Sequence, residues 1–507
     1  MTVNTIYLDG HTLTRQQVEQ IIRGHATVAL DDEVIARVNV SRQRIEQKLQ
    51  DGAAIYGVNT GFGQLSTIRI HEDDNELLQL NLLRSNVTGV GEPFPEDVVR
   101  GMMILRANAL ARGFSGIRLE TLQLLLALIN EHVTPVVPSQ GSVGASGDLA
   151  PLSHLALVLV GEGKATYKGE VLSGSEALKK ARLTPVTLKA KEGLALVNGT
   201  QAMGALGAVT LNETERLGLA ADMAASLTME ALRSIRCAFD ANLLAVRPHP
   251  EMEEVGARIR RNIDGSKRVS TQGELRMQDA YSIRCIPQVH AASWQSFYHA
   301  ERIVHVEMNA TTDNPVVLEN GDVLSGGHFH GQPIAFAMDF LKFGLCEWGS
   351  ISERRTERLV NPHLNEGLPP FLATKPGLEC GLMIAQYTAA SIVSENKVLA
   401  HPSCVDSIPT SGNQEDHVSM GTTSARQARQ IAHNVAKVIA IEMICASQAI
   451  YLDHAEEQLA PRTKQFLEHV RAICPPLLTD QPIGDEIEAL AHYLLTTNDV
   501  YHSNAIY

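Results

Sequence analysis

The stretch 422–459, TTSARQARQIAHNVAKVIAIEMICASQAIYLDHAEEQL, runs without a proline or a glycine and is rich in Ala, Ile and Gln. Its apolar residues recur at helical spacing, which predicts one long helix. A helix of that length and apolarity cannot be covered by a single neighbour. It belongs in the middle of a bundle or of an oligomer.

The same pattern recurs on either side. From Asp31 to Gln50, Val34, Ile35, Val38, Ile45 and Leu49 mark one face, and Asp31 or Asp32 is placed to cap the start. Further helices are predicted over 95–112, 117–132, 199–234, 277–309, 332–358 and 376–400. Strand signals are few: TIYLDG (5–10), ATYKGEV (165–171) and PVVLENGDVLS (315–325), the last with Asn320-Gly321 as a hairpin turn. The expected fold class is mainly α, a long-helix bundle with small β appendages.

Composition narrows the function. The 507 residues are 44 % hydrophobic, enough for a sizeable core. Lys plus Arg number 43 against 57 Asp plus Glu, a net −14. That balance argues against nucleic acid and acidic membranes as partners, because phosphate affinity is carried by clustered Lys and Arg. No unbroken run of about 18 apolar residues occurs, so no transmembrane helix is expected. The opening MTVNTIYLDGHTLTRQQ lacks the basic and apolar regions of a secretory signal. Seven scattered cysteines with no CxxC pair fit a reduced, cytoplasmic protein without a disulfide framework or zinc ribbon.

Glycine and proline cluster in four places: YGVNTGFG (56–63), PSQGSVGASGDLAP (138–151), LSGGHFHGQP (324–333) and SIPTSGNQEDH (407–417). Loops on a rigid helical frame are where chemistry is expected. The loop 141–149 does not suit a phosphate, since a P-loop needs Lys and Ser/Thr where Asp148 and Leu149 stand. A tight turn before a helix is its ordinary reading, with Asp148 near the cap and Pro151 in the first turn. A covalent reading is also open. In a strained Ala145-Ser146-Gly147 turn, the glycine nitrogen can attack the carbonyl two residues back, because no Cβ obstructs it. Loss of water, including the Ser146 hydroxyl, would leave a five-membered ring with an exocyclic methylidene. At a helix N-terminus such an electrophile would accept negative charge readily.

PSQGSVGASGDLAPLSH closely resembles the prosthetic-group segment of the aromatic amino-acid ammonia-lyase family, the histidine lyases above all. The resemblance continues in order through YGVNTGFG, LVNGTQAM (196–203), QDAYSIRCIPQVHA (278–291), TTDNP (311–315), SGGHFHGQP and TSGNQEDHVSMG, over essentially the whole chain. It implies the ammonia-lyase/fumarase-like helical architecture and a homotetramer with shared active sites. It further implies a methylidene-imidazolone formed from Ala145, Ser146 and Gly147, with Asp148 assisting its formation and Asn198 bonding its carbonyl. No pyridoxal phosphate, nucleotide or metal is expected beside it. By the same resemblance Tyr56 is the base, although a phenol with a reference pKa of about 10 needs tuning for that work. Arg284 clamps the substrate carboxylate, with Gln278 and Tyr281 on the same helical face, and Phe329 and Met383 line the pocket. The division of the chain is expected at 198/199, with the base and prosthetic-group loops before it and the long helices after it.

The implied reaction is non-oxidative deamination of an L-amino acid, with histidine to urocanate leading. Glu415 stands where phenylalanine and tyrosine lyases usually carry an amide, and a carboxylate suits an imidazole N–H better than a phenyl ring. Three residues depart from, or blur, the histidine-lyase pattern. Ser85-Asn86 replaces the usual Ser-His pair, and Asn86 can still donate and accept. His328 stands where the family usually has Asn, and with His330 it makes an H-x-H pair lacking a third metal ligand at motif spacing. Tyr387 adds bulk near Met383. An aminomutase of the family, a lyase for another polar, cationic or aromatic amino acid, and a noncatalytic homologue are the competing readings. The fumarase group's GSSxMPxKxNP loop does not occur.

Overall fold

The computed structural model describes residues 4–497, with Gln64 through its backbone. Among these residues it holds eighteen α-helices and nine short strands, the mainly α fold with small β appendages expected of the sequence.

The chain divides into two compact units. The first comprises the described residues up to Asn212 together with Ala300–Asp339 and Pro402–Arg426. The second comprises Glu213–His299, Phe340–His401 and the described residues from Gln427 on.

In the first unit, helix Asp32–Gln50 is capped by Asp31, whose side chain accepts the Val34 N–H at 2.8 Å. Helix Leu149–Leu159 packs on Asn75–Asn86 and on Glu192–Val197. Strands Asn4–Tyr7 and Ala26–Ala29 pair in parallel, and Val316–Val317 pairs with Val323–Leu324 around the Asn320-Gly321 turn. The strand expected over 165–171 is instead a hairpin, Lys164–Tyr167 against Glu170–Ser173. Lys168 and Gly169 both take positive φ (52° and 82°), the geometry of a two-residue hairpin turn.

The decisive helix spans Gly421–Leu452, and Ile431, Val435, Ile439, Ile444 and Ile450 on it are fully or almost fully buried. It stops short of Leu459. His454 adopts a left-handed φ of 49°, and the Ala455 N–H folds back to the Ile450 carbonyl, a Schellman-type ending. Among the described residues it is the one helix whose length and average composition would suit a membrane, which a search for unbroken apolar runs misses. Of its most apolar stretch, 83 % is buried within the protein.

Two more helices are shorter than expected. The segment 277–309 divides into Tyr281–Arg284 and Ile286–Met308. Pro287 accounts for the break: it has no N–H to bond the Ile283 carbonyl, and its ring crowds that carbonyl, so a new helix starts around it. Gln278 lies before the first of these helices, whose extended N-cap is Ala280, and the expected single face of Gln278, Tyr281 and Arg284 does not form. Helix Met383–Leu399 begins after the irregular Pro376–Leu382 stretch, where Gly377 and Gly381 take positive φ.

Candidate active site

Three helices of the chain begin beside one another in the first unit, at Leu149, Gln201 and Gly421, and the Ala145-Ser146-Gly147 turn lies against their starts. Gly147 has φ +71°, and a Cβ there would stand 2.2 Å from the Gly199 carbonyl oxygen. Only glycine fits. The Asp148 N–H donates to that same oxygen at 2.7 Å, so Gly199 clamps the turn. The Asn198 amide nitrogen Nδ2 donates to the Ser146 carbonyl at 2.9 Å and lies 3.0 Å from its hydroxyl.

Asp148 is completely buried, and four donors meet its carboxyl group. Ser142 Oγ donates to Oδ1 at 2.8 Å, and Thr422 Oγ1 donates to the same atom. The N–H groups of Ala202 and Met203 donate to Oδ2, each at 2.9 Å. Burial pushes this carboxyl above the ordinary carboxylate range, and the hydrogen bonds act against that rise. Arg106, also fully buried, holds Asn198 from behind. Its guanidinium donates to the Asn198 carbonyl at 2.8 Å, to Gln201 Oε1 at 2.7 Å and to the Ala195 carbonyl. Burial pulls its pKa down to about 10, which still leaves a cation at neutral pH.

The four glycine-rich loops are all in this unit and are joined by contacts. Tyr56 receives the Gly63 N–H on its phenolic oxygen at 3.0 Å. A Cβ on Gly63 would lie 2.6 Å from Ser411 Oγ, so the Tyr56 loop abuts the loop that carries Glu415. Glu415 is half-buried, and its carboxylate accepts from Thr410 Oγ1 at 2.9 Å. It sits in a loop bridge, Thr410 against Glu415, not at a helix start. Ser419 Oγ donates to the Gly144 carbonyl at 3.1 Å, tying that loop to the segment of the Ala145-Ser146-Gly147 turn. A Cβ on Gly331 would meet Ser419 Oγ at 2.9 Å, which adds the loop of His328, exposed within the chain, and Phe329, half-buried. His330 stacks on His417 with ring centroids 5.8 Å apart. Asn86 ends helix Asn75–Asn86 with its Nδ2 buried and without a hydrogen-bond partner among the described residues.

Gln278, Tyr281, Arg284, Met383 and Tyr387 belong to the second unit. Arg284 lies 4.6 Å over the Tyr281 ring, a cation–π contact, and its Nε is buried without a hydrogen-bond partner among the described residues. Tyr281 and Gln278 are exposed, Tyr387 is exposed, and Met383 is half-buried at the start of its helix.

Sequence reasoning missed Ser142, Thr422, Arg106 and Ser419, which build this site from outside the turn. Thr422 reaches Asp148 across 274 residues of chain. No local pattern marks a hydroxyl for that role.

Residues 13–472 match the family described as aromatic amino acid lyase. The chain is 53 % identical over 489 residues to a histidine ammonia-lyase of Geobacillus thermodenitrificans, covering 96 % of this chain and 97 % of the relative. A crystal structure of histidine ammonia-lyase from Trypanosoma cruzi superposes with a TM-score of 0.89 at 42 % identity, covering 97 % of this chain and 93 % of that one. Tyrosine aminomutase from Streptomyces globisporus superposes with a TM-score of 0.94 at 36 % identity over 97 % of both chains. With one family spanning nearly its whole length, the chain belongs to the aromatic amino acid lyases.

Proposed function

We propose that this chain is an ammonia-lyase that converts L-histidine to urocanate and ammonium, with a methylidene-imidazolone formed from Ala145, Ser146 and Gly147. The observation that carries the reading is the turn itself. Gly147 holds a positive φ with no room for a Cβ, and Asn198 bonds the Ser146 carbonyl. These residues fit the group: a glycine nitrogen free of side-chain obstruction, a buried carboxyl beside it, and an amide on the Ser146 carbonyl. Once formed, the group supplies an electrophile at which the substrate amine becomes a better leaving group, so pyridoxal phosphate is unnecessary.

The chain's own groups do the rest. Asn198 and the helix starts at Leu149, Gln201 and Gly421 stabilise negative charge arriving beside the turn. Tyr56, its oxygen fixed by the Gly63 N–H, takes the substrate β-proton. The neutral imidazole of histidine has one donor and one acceptor nitrogen. Glu415 offers the acceptor for its N–H, and Asn86 Nδ2 is a donor in want of an acceptor. A phenyl ring would leave both unmet. Arg284, with its planar fork, pairs with the substrate carboxylate, assisted by Tyr281 and Gln278, while Phe329 and Met383 pack on the substrate. By role, residues 1–198 carry the base and prosthetic-group loops, and residues 199–507 carry the carboxylate clamp and the long helices. The working form is a homotetramer with shared sites in the cytoplasm, in keeping with the family resemblance and the scattered cysteines.

The test is ammonium release from the twenty L-amino acids, with urocanate absorbance followed in parallel. Release from histidine with urocanate appearing is expected. Glu415→Gln is expected to lower kcat/KM for histidine roughly 10- to 100-fold, the scale of a lost hydrogen bond to a charged group. Release from a different amino acid alone would overturn the substrate, and a β-amino product would mark an aminomutase. Full turnover by Ser146→Ala would overturn the mechanism.

A further inference from the structure

We propose that His154 is a positioning residue for recognition of the substrate side chain, holding the Asn86–Gly91 segment by accepting the Gly89 N–H. The inference rests on the histidine-lyase reading and deepens it.

His154 lies on helix Leu149–Leu159, which begins directly after the Ala145–Asp148 turn. From there its Nε2 accepts the Gly89 N–H at 3.1 Å. The segment it grips has little freedom. The Thr88 N–H turns back to the Asn86 carbonyl at 2.9 Å, and Val90 pairs with Gln140, just before the prosthetic-group loop. At Gly89 a Cβ would meet His154 Nε2 at 3.0 Å and Pro138 Cβ at 3.3 Å. A Cβ on Gly141 would meet the Gly89 Cα at 3.2 Å. The segment is therefore wedged between the His154 face of the helix and the strand Pro138–Gln140.

Asn86 sits at the head of this segment. Its buried Nδ2 has no acceptor among the described residues, so backbone fastening, not its own side chain, sets where the donor points. One helix thus carries the Ala145-Ser146-Gly147 turn at its N-terminus and, on its second turn, the ring that locates Asn86. Nε2 accepts only when the imidazole is neutral with its proton on Nδ1. Half-burial favours that form, since it lowers the pKa of the ring.

The test compares His154→Leu, which removes the acceptor, with His154→Gln, whose Oε1 can reach the Gly89 N–H. Should the leucine variant fail to fold, His154→Asn replaces it, being polar but too short to reach. Kinetics with L-histidine are read beside the mass of the peptide holding residues 142–160, which reports prosthetic-group content. The expectation is that His154→Leu raises KM roughly 3- to 10-fold, the scale of one lost hydrogen bond. Its kcat and prosthetic-group content stay near wild type, and His154→Gln recovers most of the KM. An unchanged KM in the loss variant would overturn the proposal. So would a fall in kcat and group content at constant KM, or a glutamine variant no better than leucine. If the wild type turns over another amino acid instead of histidine, the substrate reading fails by itself. The same KM comparison on that amino acid then tests His154 separately.

Discussion

Asn198 directs its side-chain Nδ2 at Ser146, 2.9 Å from the carbonyl oxygen and 3.0 Å from the hydroxyl oxygen. Behind it Arg106 grips the Asn198 carbonyl, so the amide is aimed by a buried cation as well as by the helix that precedes it. An amide held this way acts as a fixed donor and needs no reorganisation during reaction. Replacing Asn198 with Leu removes the donor and is expected to lower kcat about 100- to 1,000-fold with a smaller change in KM, as for loss of one oxyanion donor. Steady-state kinetics on purified variant check this, and a change confined to KM would contradict it.

Gly147→Ala is expected to leave the turn uncyclised. An alanine at φ +71° is strained, and its Cβ would meet the backbone of Gly199, which cannot swing aside as a side chain can. Mass spectrometry of the peptide spanning residues 142–160 is expected to return the unmodified mass, with ammonia release lost. A dehydrated peptide from this variant would mean that the turn tolerates a side chain.

In the second unit, Arg355 and Glu442 form a bidentate pair with no solvent exposure, Nε to Oε1 at 2.6 Å and Nη2 to Oε2 at 2.8 Å. Thr228 Oγ1 and Ser352 Oγ add donors at 2.7 and 2.6 Å. Arg355→Met strands a buried carboxylate and is expected to cost about 3–5 kcal/mol of stability. The double variant Arg355→Met with Glu442→Leu is expected to recover most of that loss, because no charge is then left unpaired. Denaturant unfolding of the single and double variants decides between this and a simple packing effect, in which the double variant would be the worse.

Stability is expected to fall in mild acid through His290. This ring is fully buried, with Nδ1 2.6 Å from Asp222 Oδ1 and Arg355 Nη1 3.5 Å from Nε2. Burial holds its pKa below the ordinary value, with Arg355 adding to the effect and Asp222 opposing it. The unfolded chain therefore binds the proton more readily. The stabilising contribution is complete above the unfolded pKa of about 6.5 and is lost as pH falls below it. His290→Asn, which keeps an N–H for Asp222, is expected to show a smaller drop in Tm between pH 7.5 and 5.5 than the wild type. Equal drops would remove His290 from the account.

The sequence by itself determined the helical class, the four glycine-rich loops that the structure joins and the Ala145-Ser146-Gly147 turn. These rest on local physics: apolar spacing of helical period, proline and glycine where regular backbone ends, and a glycine whose missing Cβ permits one backbone shape. Its errors were local too, where a proline at 287 divided, or a left-handed His454 ended, a helix that periodicity made continuous. Only the tertiary structure decided who serves the turn. Thr422 and Ser142 meet on Asp148, Arg106 stands behind Asn198, Ser411 lies against Gly63, and His154 takes the Gly89 N–H. Each of these joins residues far apart in the chain, or depends on which way a short side chain faces. Such pairings leave no periodic trace, because buried polar groups find their partners through packing of whole elements and not through spacing along the chain.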